Sequence, residues 1–101
     1  MLVCVLKIEV EYLGHVKKVA GDKRIEEVEI KSNATVADLL TALSEKYGDP
    51  FMRTIYEPKA DDVKSNFIVS VNGYLLNQLD GVQTRLKNLD HVVLMPIVSG
   101  G

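Results

Sequence analysis

Cysteine is almost absent from this sequence: Cys4 is the one example in 101 residues. A lone cysteine excludes an internal disulfide and a multi-cysteine zinc site, and it fits a reducing cytosol. An excess of charge of one sign is also missing. Twelve Lys and Arg against 14 Asp and Glu leave a net charge of −2. That balance gives no electrostatic case for nucleic acid or an anionic membrane as a partner. No apolar run approaches the ~20 residues of a membrane span. The apolar start, MLVCVLKIEV, lacks a basic lead and is interrupted by Lys7 and Glu9. It reads as a strand rather than a signal peptide, and the expected location is cytoplasmic. There is no Ser/His/Asp constellation and no phosphate-cradling glycine loop. His15 and His91 have no second ligand at metal spacing and read as solvated turn residues. Neither a catalytic residue nor a bound cofactor or metal is expected.

What is present is the patterning of one α+β domain over residues 1–101. Residues 2–12 alternate, with Cys4, Leu6, Ile8, Val10 and Tyr12 on one face and Val3, Val5, Lys7, Glu9 and Glu11 on the other. Residues 13–24 carry Gly14, Gly21 and a basic cluster, and read as a turn or long hairpin connection. Residues 25–31 are a second strand whose apolar content, Ile25, Val28 and Ile30, slips once in spacing, as at a bulge. Residues 33–48 give the clearest helix. Thr35 is its N-cap, Asp38 lies three residues on, and Val36, Leu39, Leu40, Leu43 and Tyr47 form the apolar stripe. Gly48 and Pro50 stop it. Residues 49–65 read as a short helical turn and an exposed loop. A strand over 66–72, a turn at Asn72-Gly73 and a short strand follow. An irregular connection or short 3₁₀ turn at 81–88 leads to a last strand over 91–98. The order predicts a mixed sheet with one main helix across one face, and the first and last strands parallel at its centre. This is the β-grasp arrangement of ubiquitin-like proteins.

The last strand, HVVLMPIV, departs from what a one-helix sheet requires. Val92 and Leu94 suit the covered face, but Val93, Met95 and Ile97 then point to the open one, beside Val3, Val5 and Ile68. Either the 49–65 segment folds over that apolar patch, or a partner docks there with Met95 as an adaptable contact.

The chain then ends in SGG. Pro96 has no N–H, so ladder pairing weakens there and the chain can leave the sheet. Gly100 and Gly101 place no bulk beside the final carboxylate and can thread a narrow channel. That carboxylate, with a pKa of about 3.5, is ionised and a poor electrophile. ATP-dependent conversion to an acyl-adenylate would make it reactive, and a sulfur donor could then displace AMP to leave a thiocarboxylate. The expectation is a tail, 98–101, that is flexible and is itself the reagent.

The ending LKNLDHVVLMPIVSGG resembles the tail of the MoaD/ThiS sulfur carriers: an acidic turn (Asp90), an apolar strand (Val92 to Met95), Pro96, and Val98-Ser99-Gly100-Gly101. NATVADLL and FIVSVNGYLL resemble the family's helix start and its central strand and turn. Here Ile97 stands where a second proline is common. The resemblance implies that Gly101 is adenylated by a ubiquitin-activating-type (MoeB/ThiF-like) enzyme, which supplies ATP and magnesium, and is then thiocarboxylated. It also implies that the tail enters a large molybdopterin synthase subunit (MoaE-like) and gives up its sulfur there. Gly101 and Gly100 would carry the chemistry. Val93, Met95, Pro96, Ile97, Val98 and Ser99 would meet the partner. The rival expectations are a ubiquitin-like modifier joined to lysines through Gly101, and a carrier for thiamine or tRNA thiolation. From a different class, a plain interaction domain would leave the two glycines incidental.

Overall fold

The computed structural model describes residues 5–57, 62–63 and 67–97. Val3, Cys4, Asp61 and the whole 98–101 segment, which includes the expected reactive glycines, lie outside the described residues.

The first hairpin joins β1 (Val5–Tyr12) to β2 (Ile25–Lys31), antiparallel and in unbroken register from Val5↔Lys31 to Glu11↔Ile25. The expected bulge is therefore absent. With no slip, parity turns Ile25 outward, where it is 47% exposed, and brings Glu26 to the inner side opposite Val10. The connection holds a short helix, α1 (Val16–Val19), where the sequence shows only turn signals. Val16 and Ala20, four residues apart, are both fully buried, so one apolar face is enough to fold this turn onto the core.

The main helix, α2 (Val36–Tyr47), forms as its sequence requires. The Thr35 hydroxyl accepts from the Asp38 N–H at 3.3 Å, and the Asp38 carboxylate accepts from the Thr35 N–H at 2.9 Å, a reciprocal capping box. That backbone donor lowers the Asp38 pKa. Gly48 follows at φ +89°, a conformation favourable only to glycine, and ends the helix. Val36, Leu39, Leu40 and Leu43 bury the predicted stripe.

Residues 49–57 and 62–63 are more ordered than a turn and a loop. Pro50 sits in the first turn of α3 (Asp49–Ile55), where its missing N–H costs nothing, and Phe51 and Ile55 are buried. A small ladder of β3 (Tyr56–Glu57) and β4 (Asp62–Val63) follows. The chain returns as β5 (Phe67–Val71), turns at Asn72-Gly73 into β6 (Tyr74–Leu75), and passes through two 3₁₀ turns to β7 (His91–Pro96). The sheet order is β2-β1-β7-β5-β6, with β7 parallel to β1 and antiparallel to β5. The expected central parallel pair is present. Ile8, Val10, Tyr12, Val69, Val71, Val92 and Leu94 meet the helices on one face and make the core. Among the described residues no helix is long and apolar enough to cross a membrane.

Candidate functional site

The site is built around β7, the strand that delivers the C-terminal segment. Its start is held tightly. Lys7 N–H donates to Asn88 Oδ1 at 2.9 Å, Leu89 N–H to the Lys7 carbonyl at 2.7 Å, and Glu9 N–H to the Asp90 carbonyl at 3.0 Å. The Asp90 carboxylate is buried and accepts from the Lys87 N–H at 2.7 Å and from Asn72 Nδ2 at 2.9 Å. Asn72 in turn accepts from the His91 N–H at 2.9 Å. The acidic turn therefore links the β5–β6 turn to the start of β7 and sets the register.

That register decides what lies beside the apolar residues of the open face. In β7, His91 pairs with Glu9 and Val93 with Glu11, while on the other side Val93 pairs with Ser70 and Met95 with Ile68. Val5 lies four residues before Glu9, at the far end of β1, and joins no patch with Val93. The expected neighbourhood is corrected accordingly. The half-buried Val93, Met95 and Ile68 share their face with Leu75, which is 40% exposed and sits opposite Ser70. The cause is a parallel pairing that starts halfway along β1, so that β7 overruns the end of β1 and its last residues are in ladder register with β5 alone. The α3 helix packs against α1 and α2 on the covered side. Among the described residues, the 49–65 segment does not close over the open face.

His91 is a strand residue, not a solvated turn residue. Its ring lies between two carboxylates, with Nδ1 2.6 Å from Glu9 and Nε2 2.9 Å from Glu11. Both glutamates belong to the open face of β1, and the ring bridges them one strand away. The acidic side chains Glu9, Glu11 and Glu27 thus border the apolar residues, with Glu11 directly beside Val93.

On the covered face a polar group sits where the sequence pattern showed only apolar ones. Glu26 accepts from the Tyr12 hydroxyl at 2.5 Å, from the Tyr47 hydroxyl, and from Lys46 Nζ at 2.8 Å. Burial pushes its pKa up, but the hydrogen bonds from Lys46, Tyr12 and Tyr47 outweigh that and hold it at about 2. Burial and the same carboxylate raise both tyrosines. The rings of Tyr12, Tyr47 and Phe51 pack with centroids 5.7–6.3 Å apart. Tyr12 is the residue opposite Leu94, so this cluster stiffens β1 beside the strand that leads to the tail. The signal was available. Two tyrosines on apolar faces need an acceptor for their hydroxyls, and Glu26 has inward parity once no bulge is assumed.

At its far end β7 is released. On the β1 side the last bond runs from Leu13 N–H to the Leu94 carbonyl at 3.0 Å, while pairing with β5 continues to Phe67↔Pro96. Pro96 is the final strand residue, and Ile97 is 49% exposed. The Pro96 ring lies against Gly14, whose backbone has φ +64°. Of the expected partner-facing residues, Val93, Met95, Pro96 and Ile97 are thus brought to one end of β7, while Val98 and Ser99 lie outside the described residues with Gly100 and Gly101.

A separate cavity of about 210 Å³ opens between α2 and α3, lined by Leu40, Phe51, Met52 and Ile55 together with Thr41 and Ser44. It holds no charged group, and the Ser44 hydroxyl is engaged by the Leu40 carbonyl at 2.8 Å. It offers no chemistry that the tail would use.

A mixed five-stranded sheet carrying a helix on one face, with its central strand running out through a proline, defines a ubiquitin-like β-grasp protein. The ThiS family model matches residues 10–101, and the chain belongs to that family. It is 31% identical over 96 residues to small archaeal modifier protein 3 of Haloferax volcanii, covering 95% of this chain and all of the relative. The solution structure of the Haloferax volcanii HVO 2177 protein superposes with a TM-score of 0.81 at 29% identity, covering 96% of this chain and 88% of the other. Urm1 from Trypanosoma brucei shares the fold at a TM-score of 0.78 and 15% identity, covering 99% and 100%. The family is one of small ubiquitin-like carriers and modifiers.

Proposed function

We propose that this protein carries sulfur on Gly101 for molybdopterin biosynthesis, as the small subunit of a molybdopterin-synthase-type complex. The observation that carries the reading is the release of β7 at Pro96. A strand anchored at the centre of the sheet hands over to five more residues, which span roughly 17 Å when extended. That is enough to reach into a partner's cleft while the domain stays outside. A MoeB/ThiF-like adenylyltransferase, using its own ATP and magnesium, joins the carboxylate of Gly101 to AMP with loss of pyrophosphate. A sulfide-level donor then displaces AMP and leaves the thiocarboxylate, which a MoaE-like large subunit consumes. Val93, Met95 and Ile97 are the docking contacts, and Gly100 keeps the approach to the carbonyl open. The domain contributes position rather than catalysis, within the cytoplasm.

The test is mass spectrometry of the C-terminal peptide after incubation with ATP, the activating enzyme and sulfide. A gain of about 16 Da, oxygen replaced by sulfur, is expected. Deletion of Gly101 should abolish it with melting unchanged. Sulfur transfer by the truncated chain would end the proposal.

A second reading, conjugation to lysines through Gly101, is favoured by the name of the 31% identical relative, a modifier. It shares the adenylation step and differs in the product. Isopeptide-linked species from cells expressing a tagged chain would support it, and a single unshifted band would count against it.

A further inference from the structure

We infer that Gly14 is a positioning residue for the C-terminal segment. It is a seat, open only to a residue without a side chain, on which the Pro96 ring rests and which sets the direction in which the tail leaves the domain. The inference rests on the tail being the reactive element, as proposed above. It assigns a role to a residue more than 80 positions away in sequence.

The geometry is specific. A Cβ at Gly14 would lie 2.9 Å from Pro96 Cγ and 3.0 Å from Pro96 Cδ. Real Cβ contacts are not that short, so one partner would have to move. Neither is loose. The Pro96 ring is closed onto its own backbone nitrogen, so its carbons cannot swing aside without turning the main chain. Gly14 is held from both sides. Leu13, just before it, donates to the Leu94 carbonyl, and the Gly14 carbonyl accepts from Lys17 N–H at 3.3 Å at the start of α1. That helix is pinned by the fully buried Val16. The ring therefore gives way, and Pro96 is the last strand residue before the exit. A displacement at this root re-aims Ile97, the last described residue and the one that leads into the tail.

A second glycine separates this effect from ordinary backbone cost. Gly81 has φ +62°, close to the +64° of Gly14, but nothing lies within 4 Å of a Cβ built there. An alanine at either position carries the same positive-φ penalty. Only the one at Gly14 meets the tail root.

The experiment compares Gly14→Ala, Gly81→Ala, Pro96→Ala and the Gly14→Ala/Pro96→Ala double variant. The first readout needs no enzyme: the Ile97 amide and the Pro96 ring-carbon resonances. They should shift in Gly14→Ala and stay in place in Gly81→Ala. The second is ATP–pyrophosphate exchange by the cognate activating enzyme. For Gly14→Ala we expect kcat to fall about tenfold, because misplacement of a reacting group by about an ångström carries losses of that order or more. KM should stay near wild type, because the docking face is untouched. Gly81→Ala should match wild type in both. Pro96→Ala lacks the two ring carbons, so in that background the Gly14→Ala loss should vanish. This also keeps the test decisive if Gly14→Ala alone folds poorly.

Equal losses in the two glycine variants, or a Gly14→Ala loss that persists without the ring, would overturn the inference. So would an unmoved Ile97 amide. If wild-type protein itself supports no exchange, the sulfur-carrier reading fails. The resonance comparison still reports separately whether Gly14 seats the ring.

Discussion

The two faces of β7 have the same strand geometry and opposite fates. On the covered face Val92 and Leu94 are completely buried, and the polar group nearby, Glu26, has its carboxylate bonded by the hydroxyls of Tyr12 and Tyr47 and the ammonium groups of Lys46 and Lys23. On the open face Val93 and Met95 are half-buried, with a histidine and two glutamates nearby. The covered face specifies one structure. The open face keeps apolar surface in water that the fold does not need, as a docking surface would. Stability should therefore reside on one side of the strand and recognition on the other.

Truncating Leu94 tests the first half most severely. Leu94→Ala should destabilise the domain by about 3 kcal/mol, because the cavity forms among fully buried neighbours that cannot collapse into it. Urea denaturation would show it, and a change below about 1 kcal/mol would mean the covered face is not the source of stability.

The acid limb is the next largest effect. Glu26 is held at about 2 in the folded state against an ordinary value of 4.5. The stability it adds is complete above the ordinary value and is lost as pH falls from there through the folded value. Linkage sets an upper bound of about 3 kcal/mol for this group, which solvent screening reduces to about 2 kcal/mol. Asp38, also lowered, adds a contribution of the same sign. The discriminating measurement is the difference between wild type and Glu26→Gln. The variant should be less stable near neutrality, and its urea midpoint should fall less steeply on acidification. Parallel acid limbs would show that the tyrosine and lysine contacts to Glu26 contribute little.

The smallest stability effect sharpens the comparison most. Met95→Ala on the open face should cost under about 1 kcal/mol, since the side chain is already partly in water. Its effect should appear in association with the activating enzyme, measured by titration calorimetry, as a rise in Kd of about tenfold for a central contact. A core-sized loss of stability without loss of binding would reverse the roles assigned to the two faces.

Much of the architecture was legible because its signals are local. The Thr35–Asp38 capping box, the Leu39-Leu40-Leu43 stripe, the Asn72-Gly73 turn and the proline that ends β7 each act within a few residues. The α3 helix was legible only as a turn, because its burial depends on Phe51 and Ile55 finding α1 and α2. His91 was misread for a similar reason. Its partners Glu9 and Glu11 are about 80 residues away, and only a parallel β1–β7 pair brings them together.

The sequence by itself determined the main strands and the main helix, that the first and last strands meet at the centre of the sheet, and that pairing must weaken at Pro96. These follow from periodicity, capping and the missing N–H of one proline. Only the tertiary structure decided how far β7 slides along β1, which puts Glu11 rather than Val5 beside Val93, and which distant groups meet, Glu26 with two tyrosines and Pro96 with Gly14. Those outcomes depend on register and close approach between distant segments, which are settled when the core packs and not before.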